Sequence, residues 1–522
     1  MKFSTTKNYA LLGSLSLLLL AGCGTTAATT STTQTSDQVV KWADSAEPPT
    51  LDMAASPATA TENIGLYIYE NLFALNAHYA PEPMLASSYT ANSQFTDYTI
   101  NLRHGVYFQN GQIMTSADVL ASLKHWGEVS SLGRGIYADF ASVAAPSKYT
   151  INIKLTHPMS SLILALAVPD SGAIIMPAAI ANQAGALPAS QFIGTGPYKL
   201  VKWVHGQYIE LERFNRYVGV NTPPSGLAGA KHAYIKKIYA YFSPSPSTAF
   251  DGLKTDQFQI ADEVPSLYYP QVTSDPSLTA HIVKPYAWAG LIMNSRVGLF
   301  TNPVLREAVS YAVNDQNVMA AAFGLPQFYT LTGSIFFKQD TNTYTPVGTS
   351  GYNHYDPQKS KELLKQAGYH GQPVVLLETK TYMWMYNADQ VIAKDLQAVG
   401  FNVKPELNTW QEELAVRPHL NEWNMFETSY SAESVSPVSE FIFQPDFPAK
   451  WPSQRLQTYV AEYESTGSRP QKLALIGKIQ KLFYEEHPDV LEGVNYSLTV
   501  TSKNLTGLGS YYLPVLWNAK LK

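Results

Sequence analysis

Residues 355–379 read YDPQKSKELLKQAGYHGQPVVLLET, and this stretch predicts a helix followed by a strand. Asp356-Pro357 is typical of a helix start, because aspartate caps the free backbone N–H groups and proline suits the first turn. Gly368 is typical of a helix end, since glycine adopts the left-handed conformation at little cost. The apolar run Val374–Glu378 that follows predicts a buried strand.

The same order recurs immediately. A helix is predicted over Asn387–Val399, Gly400 ends it, and a strand is predicted over Phe401–Leu407. Two helix–glycine–strand units in tandem indicate an α/β lobe with a mostly parallel sheet.

Elements of both kinds continue along the rest of the chain. Alternating apolar and polar residues predict strands at Tyr98–Leu102, Tyr149–Leu155, Tyr208–Arg213 and Tyr234–Phe242. Helix starts are predicted at Thr115, with Asp118 completing a capping box for Ser116–Trp126, and at Asn302-Pro303 and Arg469-Pro470. The fold class is therefore α/β, with more than one lobe.

The N-terminus has the pattern of a secretory signal. Lys2 and Lys7 precede the apolar run Ala10–Leu20, which at about 1.5 Å per residue is far shorter than a ~30 Å hydrocarbon core. Leu20-Ala21-Gly22-Cys23 resembles the lipobox of bacterial lipoproteins, whose cysteine carries the lipid. We therefore expect a signal peptide over residues 1–22, lipidation at Cys23 and a flexible tether over residues 23–36.

Composition excludes several classes of function. Removal of residues 1–22 takes two lysines and no acids, so the net charge of −5 becomes −7, which argues against binding nucleic acid. Cys23 is the single cysteine, so disulfides are not expected. The eleven histidines are scattered and no catalytic motif occurs, so we expect no metal site, no cofactor and no catalytic residues. The acid pair Glu412-Glu413 is expected to be solvated.

Several segments taken together resemble the bacterial extracellular solute-binding proteins of the oligopeptide, dipeptide and nickel group, family 5. The segments occur in family order: Pro49-Thr50-Leu51-Asp52; Leu102-Arg103 to Phe108; Ser116-Ala117-Asp118-Val119; Gly194-Thr195-Gly196-Pro197-Tyr198; Asn302-Pro303 to Ala312; and Tyr355-Asp356-Pro357 to Gly368. They cover nearly all of residues 40–510.

The resemblance implies the type II fold of periplasmic binding proteins, with two main α/β lobes and a smaller inserted lobe. Lobe I is expected to combine residues 37–60, 185–283 and 490–522. The inserted lobe is expected over residues 61–184 and lobe II over residues 284–489.

The resemblance also implies ligand-binding residues between the lobes. Tyr430-Ser431-Ala432-Glu433 matches the run that holds the amine-binding acid of peptide receptors, so Glu433 is expected to bind the ligand's amine, with Tyr430 and Ser431 beside it. Trp410 has the spacing of a tryptophan that lines the same cleft. Thr59 is expected to offer its backbone to an extended peptide.

Trp288 is a further candidate, drawn from this sequence alone, for an aromatic side chain that faces the cleft. It lies just before the end of a predicted strand at Asn294. Like Trp410, it could equally well pack in the core.

The expected function is that of a receptor and not of an enzyme: a lipid-anchored monomer on the outer face of the cell membrane captures oligopeptides by hinge closure and delivers them to the permease of an ABC importer. An oligosaccharide or a metal chelate is the alternative solute. A surface lipoprotein hydrolase and a non-transporting sensor are the rival functions.

Overall fold

The computed structural model describes residues 38–242, 245–431, 435–443, 447, 449 and 451–522. The predicted signal, Cys23 and the whole of the predicted tether lie outside the described residues, as does Glu433. The α-helices of the described part are α1 (Thr59–Ile68), α2 (Ser116–Val129), α3 (Ser131–Tyr137), α4 (Leu162–Ala165), α5 (Ala178–Ala184), α6 (Pro246–Lys254), α7 (Tyr269–Ser274), α8 (Pro303–Ala312), α9 (Asp315–Phe323), α10 (Pro357–Gln366), α11 (Met383–Val399), α12 (Trp410–Val416), α13 (Gln454–Glu464) and α14 (Arg469–Glu486).

The strands alternate with these helices along the chain. They are β1 (Val39–Asp44), β2 (Phe73–Leu75), β3 (Pro81–Pro83), β4 (Ala86–Ala91), β5 (Asp97–Leu102), β6 (Phe140–Ser147), β7 (Thr150–Leu155), β8 (Tyr198–Val204), β9 (Tyr208–Arg213), β10 (Lys237–Phe242), β11 (Ile260–Ala261), β12 (Leu278–Met293), β13 (Tyr329–Thr330), β14 (Pro373–Thr379), β15 (Asn402–Asn408), β16 (Met425–Ser431), β17 (Asp489–Ser502), β18 (Leu505–Thr506), β19 (Gly509–Ser510), β20 (Pro514–Val515) and β21 (Lys520–Leu521).

One large mixed sheet of eleven strands organises the described residues. Its strand order is β15-β14-β16-β12-β17-β11-β1-β10-β9-β8, with β13 paired to β17 beside this path. The two halves of the sheet meet at β12 and β17, which are its longest strands and pair antiparallel. Their register shifts between Val283 and Ala287 and again between Ala289 and Gly290, so the ladder between the halves is interrupted.

A separate four-stranded antiparallel sheet, β4-β5-β7-β6, packs with α2. It is formed by residues 86–155, which lie within the range expected for the inserted lobe. The fold class is α/β, as the sequence indicates.

The predicted tandem units are confirmed as α10–β14 and α11–β15. Pro357 begins α10, and Asp356 accepts hydrogen bonds from the backbone N–H groups of Gln358 and Lys359. Gly400 ends α11 with a φ of 116°, which only glycine adopts easily. β14 runs parallel to both β15 and β16, so this part of the sheet is parallel as predicted.

The structure explains why two of the quoted segments have their particular residues. The Asp52 carboxylate accepts hydrogen bonds from the backbone N–H of Ala54 and Ala189 and pairs with buried His125 of α2 at 2.9 Å. Gly196 lies against the end of α1, where a Cβ would come within 2.4 Å of the Tyr67 carbonyl oxygen. Both segments therefore make close contacts between parts of the chain that are distant in sequence.

Candidate functional site

A cavity of about 420 Å³, here called the front cavity, lies where several distant chain segments meet. Its described lining comes from the start of α1, from α3 and the loop near Asp170, from Glu263 and from Tyr286-Ala287 of β12, from the starts of α11 and α12, from the end of β16, and from the C-terminal region. The lining residues are Ala54, Ala55, Pro57, Ala58, Thr59, Val129, Ser131, Arg134, Asp170, Ser171, Glu263, Tyr286, Ala287, Tyr382, Trp384, Met385, Trp410, Leu414, Arg417, Pro418, Thr428, Ser429, Tyr430, Ser431, Phe447 and Tyr512.

Trp410 lines this cavity, and its ring contacts two neighbouring side chains. It is the first residue of α12, which Thr409 and Glu412 cap reciprocally. Its ring meets the Tyr382 ring edge-on at 5.2 Å, and the Arg417 guanidinium lies 4.8 Å from its centroid. The indole is therefore held in place by aromatic and cation–π contacts before any solute binds.

Arg417 is a cavity residue that the sequence analysis did not identify. Its side chain is 9 % exposed, and it contacts the Phe426 ring at 3.9 Å as well as Trp410. One guanidinium nitrogen pairs with Glu413 at 2.6 Å, whereas Nε has no hydrogen-bond partner among the described residues. A buried arginine of this kind suits a carboxylate, which two N–H groups can hold at once.

Tyr430 and Ser431 end strand β16 at the cavity wall. Burial, followed by the nearby Asp489 charge, raises the pKa of Tyr430 well above its ordinary value, and its hydroxyl donates to Asp489 at 3.4 Å. The Ser431 hydroxyl has no hydrogen-bond partner among the described residues. It is therefore a buried polar atom with an unused hydrogen-bonding capacity, at the end of a strand that lines the cavity.

Trp288 does not face the cavity, contrary to the expectation for it. It is 1 % exposed, and its ring stacks on the Tyr430 ring with centroids 3.9 Å apart. Trp288 and Tyr430 are directly paired across β12 and β16, so their side chains share one face of the sheet. Trp288 thus supports the wall from behind.

Thr59 lines the cavity as the first residue of α1, so its backbone is helical and not extended. Extended backbone occurs just before it, at Ala58. Four of the predicted residues, Thr59, Trp410, Tyr430 and Ser431, therefore border one cavity, while Glu433 lies outside the described residues.

A layer of buried acids lies behind the β16 wall. We call Asp389, Glu427, Asp489 and Glu492 the acid layer; each is at most 2 % exposed. Burial is the largest cause that raises the pKa of all four well above their ordinary values. After burial, the Glu492 charge is the next cause that raises the pKa of Glu427, because two like charges repel each other in the protein interior.

Glu413 corrects the expectation that Glu412-Glu413 is solvated. Glu413 is 1 % exposed and pairs with Arg417, whereas Glu412 is exposed and caps α12. Adjacent helix positions do point to different faces, but the face carrying Glu413 packs inward. Glu413 and Arg417 are four residues apart, and this spacing on a helix could have predicted their ion pair from the sequence.

The described residues contain no group of three or more histidine, cysteine, aspartate or glutamate side chains arranged to hold a metal ion. Among the same residues, no helix has both the length and the apolar character that crossing a membrane requires.

Comparison with known proteins identifies the family. Residues 80–446 match the description "Bacterial extracellular solute-binding proteins, family 5 Middle", which is well over half of the chain. The chain belongs to this family. Its members are substrate-binding proteins of ABC transporters and not enzymes, so the hydrolase alternative is wrong for this family 5 protein.

Individual relatives agree with this assignment. The family 5 protein is 28 % identical over 497 residues to a probable peptide ABC transporter periplasmic-binding protein of Sinorhizobium fredii, with 90 % of each chain covered.

Two solved structures share its fold. One is the binding protein AgaA of A. tumefaciens R10 in complex with agropinic acid, with a TM-score of 0.81, 22 % identity and coverage of 93 % and 99 % of the two chains. The other is DppA of Helicobacter pylori in complex with the peptide STSA, with a TM-score of 0.78, 21 % identity and coverage of 92 % and 98 %. These likenesses confirm the type II periplasmic-binding-protein fold.

Proposed function

We propose that this protein is a lipid-anchored receptor that captures oligopeptides in the front cavity and passes them to an ABC permease. The observation that carries the proposal is the joint position of Trp410, Arg417, Tyr430 and Ser431 around one cavity. An aromatic face, a buried guanidinium and an unpaired hydroxyl suit the backbone and the carboxylate of a short peptide. The cavity volume lies within the range of roughly 300–1,000 Å³ usual for small-molecule sites.

Capture is proposed to occur by closure of lobe II, residues 284–489, on lobe I, formed by residues 37–60, 185–283 and 490–522. Two features of the large sheet support this proposal: β14 to β16 lie on one side of the β12–β17 pair, and β1 with β8 to β11 lies on the other. The register shifts in that pair offer places where the backbone can bend. Small-angle scattering with and without solute tests closure, because closure reduces the radius of gyration.

A non-peptide solute is the second candidate cargo, since a neighbour in fold has been solved with agropinic acid. Mass spectrometry of the solute that co-purifies with the protein separates the two candidates. Isothermal titration with a peptide pool and with a sugar panel then measures the preference directly. Recovery of sugars alone would contradict the peptide proposal.

Replacing Trp410 by alanine is expected to weaken binding of the identified solute about ten-fold or more. The change removes an aromatic face of the cavity and the contact that holds Arg417 in position. Isothermal titration measures the effect. Trp203→Ala is the matched control, because Trp203 lies on β8, donates a hydrogen bond to Glu47 and is not among the described residues that line the front cavity. Equal weakening by both variants would contradict a contact between Trp410 and the solute.

The anchor is proposed to be a lipid on Cys23, which would hold the monomer at the outer face of the cell membrane. Changing Cys23 to serine is expected to release the protein from the membrane, because serine offers no thiol for acylation. Fractionation of cells that express the full chain, followed by mass spectrometry of the mature N-terminus, measures the result. A Cys23→Ser protein that stays in the membrane fraction would contradict the anchor.

A further inference from the structure

A second cavity of about 760 Å³, here called the rear chamber, adjoins the front cavity. It lies between the ends of β1 and β11, the start of α6, the end of α9 and the middle of β17. Four residues line both cavities: Glu263, Tyr286, Tyr382 and Trp384. These residues form a partition inside one larger space, in which the Tyr286 hydroxyl donates a hydrogen bond to Glu263.

The rear chamber has an excess of acidic groups. Asp262 and Glu263 line it, and Lys380 is the one lysine or arginine among its described lining residues. The Lys380 ammonium lies 4.6 Å from the centroid of the Tyr386 ring, which does not line the chamber. The chamber is therefore an environment that favours a positively charged group.

Asp44 is a buried carboxyl next to the chamber in sequence, although it is not one of the described residues that line it. It is 0 % exposed and lies between Ala43 and Ser45, which both line the rear chamber. The Asn63 amide donates to one oxygen of Asp44 and to one of Asp262, while Oδ2 of Asp44 has no hydrogen-bond partner among the described residues. Leaving such an oxygen ionised and unpaired in the protein interior is costly, so burial favours the protonated form of Asp44.

The pKa values of Asp262 and Asp44 are both raised, which shows that these carboxyls lack a nearby positive charge. Burial and the Glu263 charge raise the pKa of Asp262 to about 7. Burial and the Asp262 charge raise the pKa of Asp44 well above its ordinary value. A cation entering the chamber would lower both, because an opposite charge favours the ionised carboxylate.

The walls of the partition are aromatic. Tyr286, Tyr382 and Trp384 face both cavities, and the Trp384 ring stacks on Phe323 of α9 at 5.3 Å. Aromatic rings beside carboxylates suit an organic ammonium or guanidinium group, which gains cation–π contacts together with the charge contact. A bare metal ion does not fit, since the described residues hold no metal-binding group of three acids or histidines.

We propose that the front cavity and the rear chamber form one divided site, in which Glu263 binds an ammonium or guanidinium group of the solute at the partition and the rear chamber holds the cationic end. The preferred solutes are then cationic, such as peptides with a lysine or arginine residue. This proposal rests on the proposed receptor function and specifies its cargo.

Isothermal titration with matched peptides tests the charge preference. A tripeptide with a central lysine is expected to bind at least ten-fold more tightly than the same peptide with norleucine, which has a similar length and no charge; ten-fold corresponds to about 1.4 kcal/mol. Glu263→Gln, which keeps the shape and the Tyr286 hydrogen bond, is expected to abolish this difference. Glu406→Gln is the control, because it removes the same charge from an exposed position on β15.

Proton release provides a second readout that a merely structural role of Glu263 would not give. At pH 7 the entry of a cation is expected to expel protons from Asp262 and Asp44. Isothermal titrations in buffers of different ionisation enthalpy measure how many protons are released on binding. We expect proton release with the lysine peptide and little with the norleucine peptide. Equal affinity for both peptides, or an unchanged preference in Glu263→Gln, overturns the proposal.

Failure of the receptor proposal is distinguishable from failure of this one. If no peptide binds, the peptide cargo is wrong, and titration with agmatine and cadaverine against their uncharged analogues decides the cation site by itself. Binding of the two amines that depends on Glu263 supports the site, and no binding of either overturns it.

Discussion

Replacing Arg417 by methionine is expected to lower the free energy of unfolding by about 3–5 kcal/mol, since removing one member of a buried ion pair leaves the other without a partner. The stranded group is Glu413, which is 1 % exposed and 2.6 Å from the guanidinium. Asp389, also buried, is close enough to Glu413 for the two negative charges to repel each other. Urea unfolding at pH 7.5, followed by circular dichroism, measures the loss.

The double variant Glu413→Leu, Arg417→Met is the matched control. It removes both charges and fills the space with apolar atoms, so it is expected to recover most of the lost stability. A single variant as stable as the wild type would show that the pair contributes little to the fold.

Stability is expected to rise as the pH is lowered from 8 to 5, which is opposite to ordinary acid unfolding. The acid layer is the reason: the pKa values of Asp389, Glu427, Asp489 and Glu492 are raised in the folded state by burial. Such groups stabilise the fold fully below their unfolded pKa of about 4, and this contribution is lost as the pH rises through the folded pKa. Each unit of difference contributes about 1.4 kcal/mol for each group, so a total gain of at least about 2 kcal/mol is expected.

Thermal unfolding at a series of pH values measures this dependence. The variant with glutamine at both 427 and 492 is expected to reduce the dependence, because amides stay neutral at every pH whereas Asp389 and Asp489 remain able to take up protons. Glu406→Gln, on an exposed strand, is expected to leave the slope unchanged. A wild-type melting temperature that decreases when the pH is lowered from 7 to 5 would contradict protonation of the acid layer.

Local features of the fold could be predicted from the sequence because their causes lie within a few residues. The capping box of Thr115 and Asp118 forms as expected and starts α2 at Ser116. Asn302 caps α8, whose first residue is Pro303. The strand Tyr208–Arg213 is correct to the residue. Errors are limited to element ends: α11 starts four residues earlier than predicted, at Met383, and β10 starts three residues later, at Lys237.

The site was predictable only where the family resemblance supplied positions. The resemblance pointed to Trp410 and Tyr430, and both line the front cavity. Trp288 was chosen from its place in a strand, and it packs against Tyr430 behind the cavity wall. Alternation along a strand tells which residues share a face but not which face is covered by other elements. Arg417 and Glu263 escaped notice for the same reason, because their importance arises from chain segments that meet only after folding.

Tyr286 connects solute binding to the backbone that joins the two halves of the sheet. It lies within Val283–Ala287, where the pairing of β12 with β17 is interrupted, and its hydroxyl holds Glu263. A solute that takes over Glu263 would free Tyr286 at the same moment. We therefore expect the residence time of the solute and the stiffness of the interrupted β12–β17 pairing to change together, so that variants at Tyr286 would exchange tight retention for rapid delivery.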